Sequence, residues 1–176
     1  MGVFWTRGYE ATSLDDLCAA TRLSRSSLYA AFGDKRNLLL KSLDNYLERG
    51  TARIADSLSR PPVRKALAGL LNEFIDAIVA GPGRRGCFIG NCAAELSRND
   101  REAMARVSGA LARNTAVFRD ALLAAKARGE LSPKSDPEAL SHFLTASIQG
   151  LRLIGKANPD RAMLQDIAKT MLRCLD

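Results

Sequence analysis

Apolar residues recur every three or four positions along almost the whole chain, and nowhere do they alternate with the two-residue period of a half-buried strand. The spacing predicts an all-α protein. Leu14, Leu17 and Cys18 share one face of a short helix over residues 14–20. A second short helix is expected over 25–32, with Leu28 and Phe32 inward and Leu23 plugging the space between the two. A long helix over 35–59 carries Leu38, Leu39, Leu43, Tyr46 and Leu47 and stops at Pro61-Pro62. Further helices are expected over 62–80, 87–97, 100–128, 136–156 and 159–175.

The residues between the early helices are start and stop signals. Ser13 is placed to cap the first helix, with Asp16 three positions on completing a capping box. Thr21, Arg22 and Leu23 form a turn, and Ser24 caps the next helix. Gly33 supplies a left-handed stop and Asp34 a new cap. Two short helices joined by so tight a turn form a helix-turn-helix, whose second helix meets base edges in the major groove. Arg25, Ser26, Ser27 and Tyr29 lie toward the start and outer face of that helix. Lys35 opens the following helix, where the dipole disfavours a cation and a nearby phosphate would reverse the penalty. Thr12, Ser13, Ser24, Arg25, Ser26, Ser27, Tyr29 and Lys35 are the candidate DNA-binding residues.

Gly8-Tyr9, Thr12-Ser13, Leu17, Leu23-Ser24, Leu28-Tyr29, Phe32, Lys35 and Leu38 together resemble the DNA-binding domain of the TetR (tetracycline-repressor) family of dimeric transcriptional regulators. The chain departs from that pattern in having Thr21-Arg22 where Ala-Gly is frequent, and Ala30-Ala31 where His or Tyr often stands. It also begins inside the family's first helix, leaving Phe4 and Trp5 as that helix's core residues. The resemblance implies an N-terminal helix-turn-helix DNA-binding domain over residues 1–46 and a helical effector-binding and dimerisation domain over 47–176. It further implies a homodimer on a double-stranded DNA operator, acting as a repressor that a small-molecule effector releases.

The last two helices suit such a dimer. Leu140, Phe143, Leu144, Ser147, Ile148, Leu151 and Ile154 form one apolar face, with Gly150 and Gly155 permitting close approach, and Met163, Leu164, Ile167, Met171 and Leu172 form another. The segment from Cys87 to Ser97, apolar or small nearly all round, reads as an enclosed helix on which Asn91 and Glu95 each need a partner. Similar Gly-Cys-Phe segments border the effector pocket in one branch of the resembled family. Phe74, Cys87, Phe88, Asn91, Glu95 and Phe118 are therefore the candidate effector-binding residues.

Charge refines this picture only slightly. The chain of 176 residues has 26 Lys and Arg against 19 Asp and Glu, which suits an anionic partner, yet residues 1–49 hold seven against six. Cys87, directly after two arginines at a helix start, is the candidate for a redox- or electrophile-sensing regulator, the alternative reading of function. No cysteine pair has metal-ligand spacing and His142 is the only histidine, so no metal site or cofactor is expected. An enzyme built on Cys87 and His142 lacks an orienting carboxylate and an oxyanion site at readable spacing, so no catalytic residues are assigned. A helical adaptor without DNA binding is the other alternative. With no apolar run long enough for a membrane span and no signal peptide pattern, the chain is expected to be soluble and cytoplasmic.

Overall fold

The computed structural model describes residues 1–96 and 100–176, and the expected end of the sixth helix at Ser97 lies outside them. The described residues form nine α-helices and one 3₁₀ turn with no strand: α1 (Gly2–Arg7), α2 (Leu14–Thr21), α3 (Arg25–Phe32), α4 (Lys35–Leu58), α5 (Val63–Ala80), the 3₁₀ turn Pro82–Arg85, α6 (Phe88–Glu95), α7 (Arg101–Ala127), α8 (Pro137–Ala157) and α9 (Arg161–Arg173). The chain divides into two compact units. One comprises Met1–Arg49 with Phe88–Ala110, the other Gly50–Cys87 with Leu111–Asp176. The described residues of 88–110, which a division along the sequence at residue 46 groups with the second domain, cluster with the N-terminal helices.

In the first unit the caps are local and sit where their side chains dictate. Ser13 and Asp16 form the capping box of α2, Ser24 accepts from the Ser27 N–H at the start of α3, and Asp34 accepts from the Asn37 N–H at 2.6 Å. Each such cap contributes about 1 kcal/mol. Phe4, Leu17, Leu28, Leu39, Leu43 and Phe88 are buried. Leu23 is not. It stands 39% exposed, because Arg22 ends α2 in the left-handed region (φ 58°, ψ 26°) and turns the chain outward there, leaving Leu17 and Leu28 as the buried side chains of α2 and α3. Arg22 is the only non-glycine with positive φ among the described residues, a conformation that costs a side-chain-bearing residue about 1–2 kcal/mol. The glycine frequent at this place in the resembled family avoids that cost.

The start of α7 is joined to α4 by ion pairs inside this unit. Arg36 donates to both oxygens of Asp100 (3.0 and 2.6 Å) and to Glu102 (2.9 Å), while Arg106 bridges Glu102 (2.9 Å) and Asp44 (3.1 Å). Hydrogen bonds from Arg36 hold the Asp100 and Glu102 carboxyls below the usual carboxylate range. Because their folded pKa values are depressed, their contribution is complete above the unfolded value near 4 and is lost as pH falls through the folded values. Melting temperature is therefore expected to drop on acidification from pH 7 to pH 3, and Arg36→Ala to flatten that drop. Parallel profiles for the two proteins would show that the network contributes nothing.

In the second unit α5, α8 and α9 pack on one another around Leu67, Leu71, Ile75, Leu144, Ile148 and Leu164. The N-terminus of α5 has only Pro62 at its cap position, and Glu130 supplies the acceptor instead, taking the Val63 N–H at 2.6 Å. Gly155 is not free to admit a second subunit. A Cβ there would meet Ile78 at 2.9 Å, so its missing side chain lets α8 approach α5 of its own chain. The apolar positions of α8 and α9 accordingly divide: Leu144, Ile148, Leu151, Leu164 and Met171 are buried in the chain's own core, whereas Phe143 and Ile154 remain 38% and 43% exposed.

Candidate DNA-binding site

The open side of α3 is polar and sits on a buried support. Leu28 is fully buried and Phe32 half-buried, while Ser24, Arg25, Ser26, Ser27 and Tyr29 are exposed, Tyr29 by 45%. The Ser24 hydroxyl lies 2.9 Å from both the Ser26 and the Ser27 hydroxyls, so three hydroxyl groups gather at the N-terminus of the helix. Arg25 is the only cation on α3. Asp15 of α2 holds it: Nε and Nη2 both donate to Oδ1, at 3.0 and 2.6 Å, and Nη2 reaches Oδ2 at 2.8 Å. These bonds raise the guanidinium pKa further above its ordinary value.

The other candidates are turned toward the α1–α2 loop. Thr12 is 1% exposed and its hydroxyl donates to the Gly8 carbonyl. Ser13 serves the capping box, and its backbone and side-chain hydrogen bonds to Asp16 pull that carboxyl below its ordinary value, with Arg7 also in contact. The Lys35 ammonium donates to the Tyr9 carbonyl at 2.9 Å and the Thr12 carbonyl at 3.0 Å and lies 4.3 Å from the centre of the Tyr9 ring. Loop carbonyls thus surround the cation at the start of α4. Sequence reading passed over Asp15, whose only signal was an acid on α2 preceding the single arginine of α3. It also had no signal for the loop carbonyls that receive Lys35, since those groups belong to every sequence.

The effector candidates are distributed over both units. In the first, Phe88 is buried, with its ring 5.6 Å from Tyr46 and 6.1 Å from Trp5, and Asn91 is half-buried. Glu95 departs from the enclosed position expected of it. It is exposed, as are Ala93 and Ala94, and its Oε1 accepts the Glu10 backbone N–H at 2.9 Å. In the second unit Phe118 is 2% exposed within the core, and Phe74 lies half-buried with the Arg152 and Arg53 guanidinium groups 5.2 and 6.0 Å from its ring centre. Cys87 is buried, at 5% exposed. The described residues contain no group of three His, Cys, Asp or Glu side chains placed to hold a metal ion. None of their helices is long and apolar enough to cross a membrane.

Comparison with known proteins shows the family of the chain. Residues 1–41 match the family described as bacterial regulatory proteins, tetR family, and residues 60–171 match the tetracyclin repressor-like C-terminal domain. The chain belongs to the TetR family of transcriptional regulators. Among its TetR-family relatives, the uncharacterised HTH-type regulator YezE of Bacillus subtilis is 34% identical over 99% of this chain and 91% of its own length. The HTH-type transcriptional repressor ComR of Escherichia coli is 32% identical over 98% and 83%. Of solved structures, a cysteine mutant of the TetR-family regulator CifR in complex with 26-bp double-strand operator DNA superposes with a TM-score of 0.87 at 30% identity, covering 97% of this chain and 90% of that one. TetR-family regulators bind operator DNA and function as dimers. This one is accordingly a DNA-binding transcriptional regulator and not an enzyme.

Proposed function

We propose that the protein is a homodimeric repressor that reads a pseudo-palindromic operator with the outer face of α3 and leaves it when a small molecule binds the helical domain spanning residues 47–176. The observation that carries the reading is the exposed set Arg25, Ser26, Ser27 and Tyr29 on a helix whose opposite side, Leu28, is fully buried. A rigid support with polar groups at its exposed N-terminal end is the arrangement that direct base readout requires. Thr12 and Lys35 serve this function through the loop they brace, and Ser13 and Ser24 through the caps that place α2 and α3. The repressor relative ComR and the DNA-bound CifR structure support the same reading.

Release requires an effector that binds the DNA-incompetent state more tightly than the competent one, since only differential affinity moves the equilibrium. Phe88 and Asn91 on α6 are our candidates for sensing it in the first unit. Phe74 and Phe118 are those in the second. The reading is tested by selecting from a random-sequence duplex pool with the purified protein at two salt concentrations. A two-fold site with half-sites about one DNA turn apart, and affinity that falls with salt, is expected. A pool that stays random at both concentrations would overturn it.

A further inference from the structure

The side chain that touches DNA on a recognition helix is only half of the readout; the other half is whatever fixes its direction. On α3 the single cation is Arg25, and the carboxylate of Asp15 occupies its Nε–Nη2 edge with three contacts of 2.6 to 3.0 Å. A guanidinium carries five N–H donors in a rigid plane. Occupying the Nε–Nη2 edge leaves Nη1, which makes none of these contacts, and the end of the fork it shares with Nη2. That end matches the paired O6 and N7 acceptors of guanine in the major groove. The pair is also formally neutral, and the Asp15 carboxylate repels the phosphate that an unpaired arginine at the same place would seek.

The rest of the unit points the same way. Among the described residues, other arginines of the unit in ion pairs are Arg7 with Asp16, Arg36 with Asp100 and Glu102, and Arg106 with Asp44 and Glu102. An arginine held by a carboxylate in this way gains less from undirected phosphate attraction and relies more on oriented contacts.

We infer that Asp15 is a specificity-determining positioning residue, which aims Arg25 end-on at one guanine in each half-site and keeps it from binding phosphate on unrelated DNA. This rests on α3 being the reading helix, and the test separates the two claims. Random duplex pools are selected in parallel with the wild type, Arg25→Ala, Asp15→Ala and Asp15→Glu, and each protein's affinity for a scrambled duplex is measured across salt concentration. The wild type is expected to enrich a site with a fixed G·C pair in each half, and Arg25→Ala to lose the preference at that position alone.

Asp15→Ala is expected to weaken the guanine preference about tenfold at the same position, the lower part of what one bidentate contact discriminates. Its affinity for the scrambled duplex should rise, with a salt slope steeper by about 0.9 per subunit as Arg25 becomes available to phosphate. Asp15→Glu, which restores the carboxylate, should recover part of the preference. A merely structural role in the first turn of α2 would lower affinity for every sequence alike and leave the base profile intact. An unchanged guanine position in Asp15→Ala, with Arg25→Ala still altering it, overturns the role of Asp15; an enriched site that Arg25→Ala leaves unaltered overturns base reading by Arg25, and a wild-type pool that enriches no site overturns the reading by α3 itself.

Discussion

Replacing Phe143 and Ile154 together with glutamate is expected to yield folded monomers that bind operator DNA at least a hundredfold more weakly. Both side chains are partly exposed, at 38% and 43%, while their neighbours Leu144, Ile148 and Leu151 on α8 are already in the chain's own core. They border a groove of about 800 Å³ formed by α8 and α9, mainly apolar, that also includes Gly150, Met163 and Ile167, with Ser147, Asp166 and Thr170 as its polar side chains. Covering a large apolar side chain is worth about 1.5–3 kcal/mol, and a carboxylate buried at the same place without a partner costs several more. The substitutions leave the core untouched, so helicity should be retained. Binding suffers because linking two readers makes the second half-site encounter intramolecular, an advantage of roughly 10²–10⁴ that a monomer forgoes. Sedimentation equilibrium and duplex titration on the same preparations check both statements. A dimer that persists with unchanged affinity would place the subunit contact elsewhere.

Most of the helix-turn-helix was legible because its signals act over three or four residues. The α3 bounds follow from Ser24 and Gly33, and the start of α2 from Ser13 with Asp16, because a cap side chain reaches its backbone partner without help from the rest of the fold. Leu23 was misplaced for an equally local reason: its direction depends on the backbone angle of Arg22, and nothing in an arginine announces φ 58°. Contacts between distant segments left no trace in the pattern. Glu95 meets Glu10 across 85 positions, and on apolar spacing alone it belongs to an enclosed helix. The face of α8 was legible as apolar, but periodicity does not distinguish the side that closes the chain's own core from the side left open. Gly155 against Ile78 and Gly150 in the groove show the two outcomes five residues apart.

The Glu95 contact makes Gly8 the most sensitive position of the α1–α2 loop. Gly8 has φ 86° and ψ 175°, a region that residues with a side chain essentially never adopt, and a Cβ there would sit 2.7 Å from both carboxylate oxygens of Glu95. Gly8→Ala therefore meets two obstacles. The backbone strain alone is of order 1–3 kcal/mol, and the collision drives Glu95 from the Glu10 N–H that it accepts. The loop also presents the Gly8 carbonyl to Thr12 and the Tyr9 and Thr12 carbonyls to Lys35, so displacing it loosens the start of α2 and the Lys35 bracing at once. A clear fall in melting temperature and loss of operator binding are expected. Glu95→Ala removes the collision and not the strain. In the double variant Gly8→Ala with Glu95→Ala, part of the loss should return relative to Gly8→Ala alone, and the single Glu95→Ala should cost less than either. Purely additive effects of the two substitutions on stability would show that Glu95 and Gly8 do not interact.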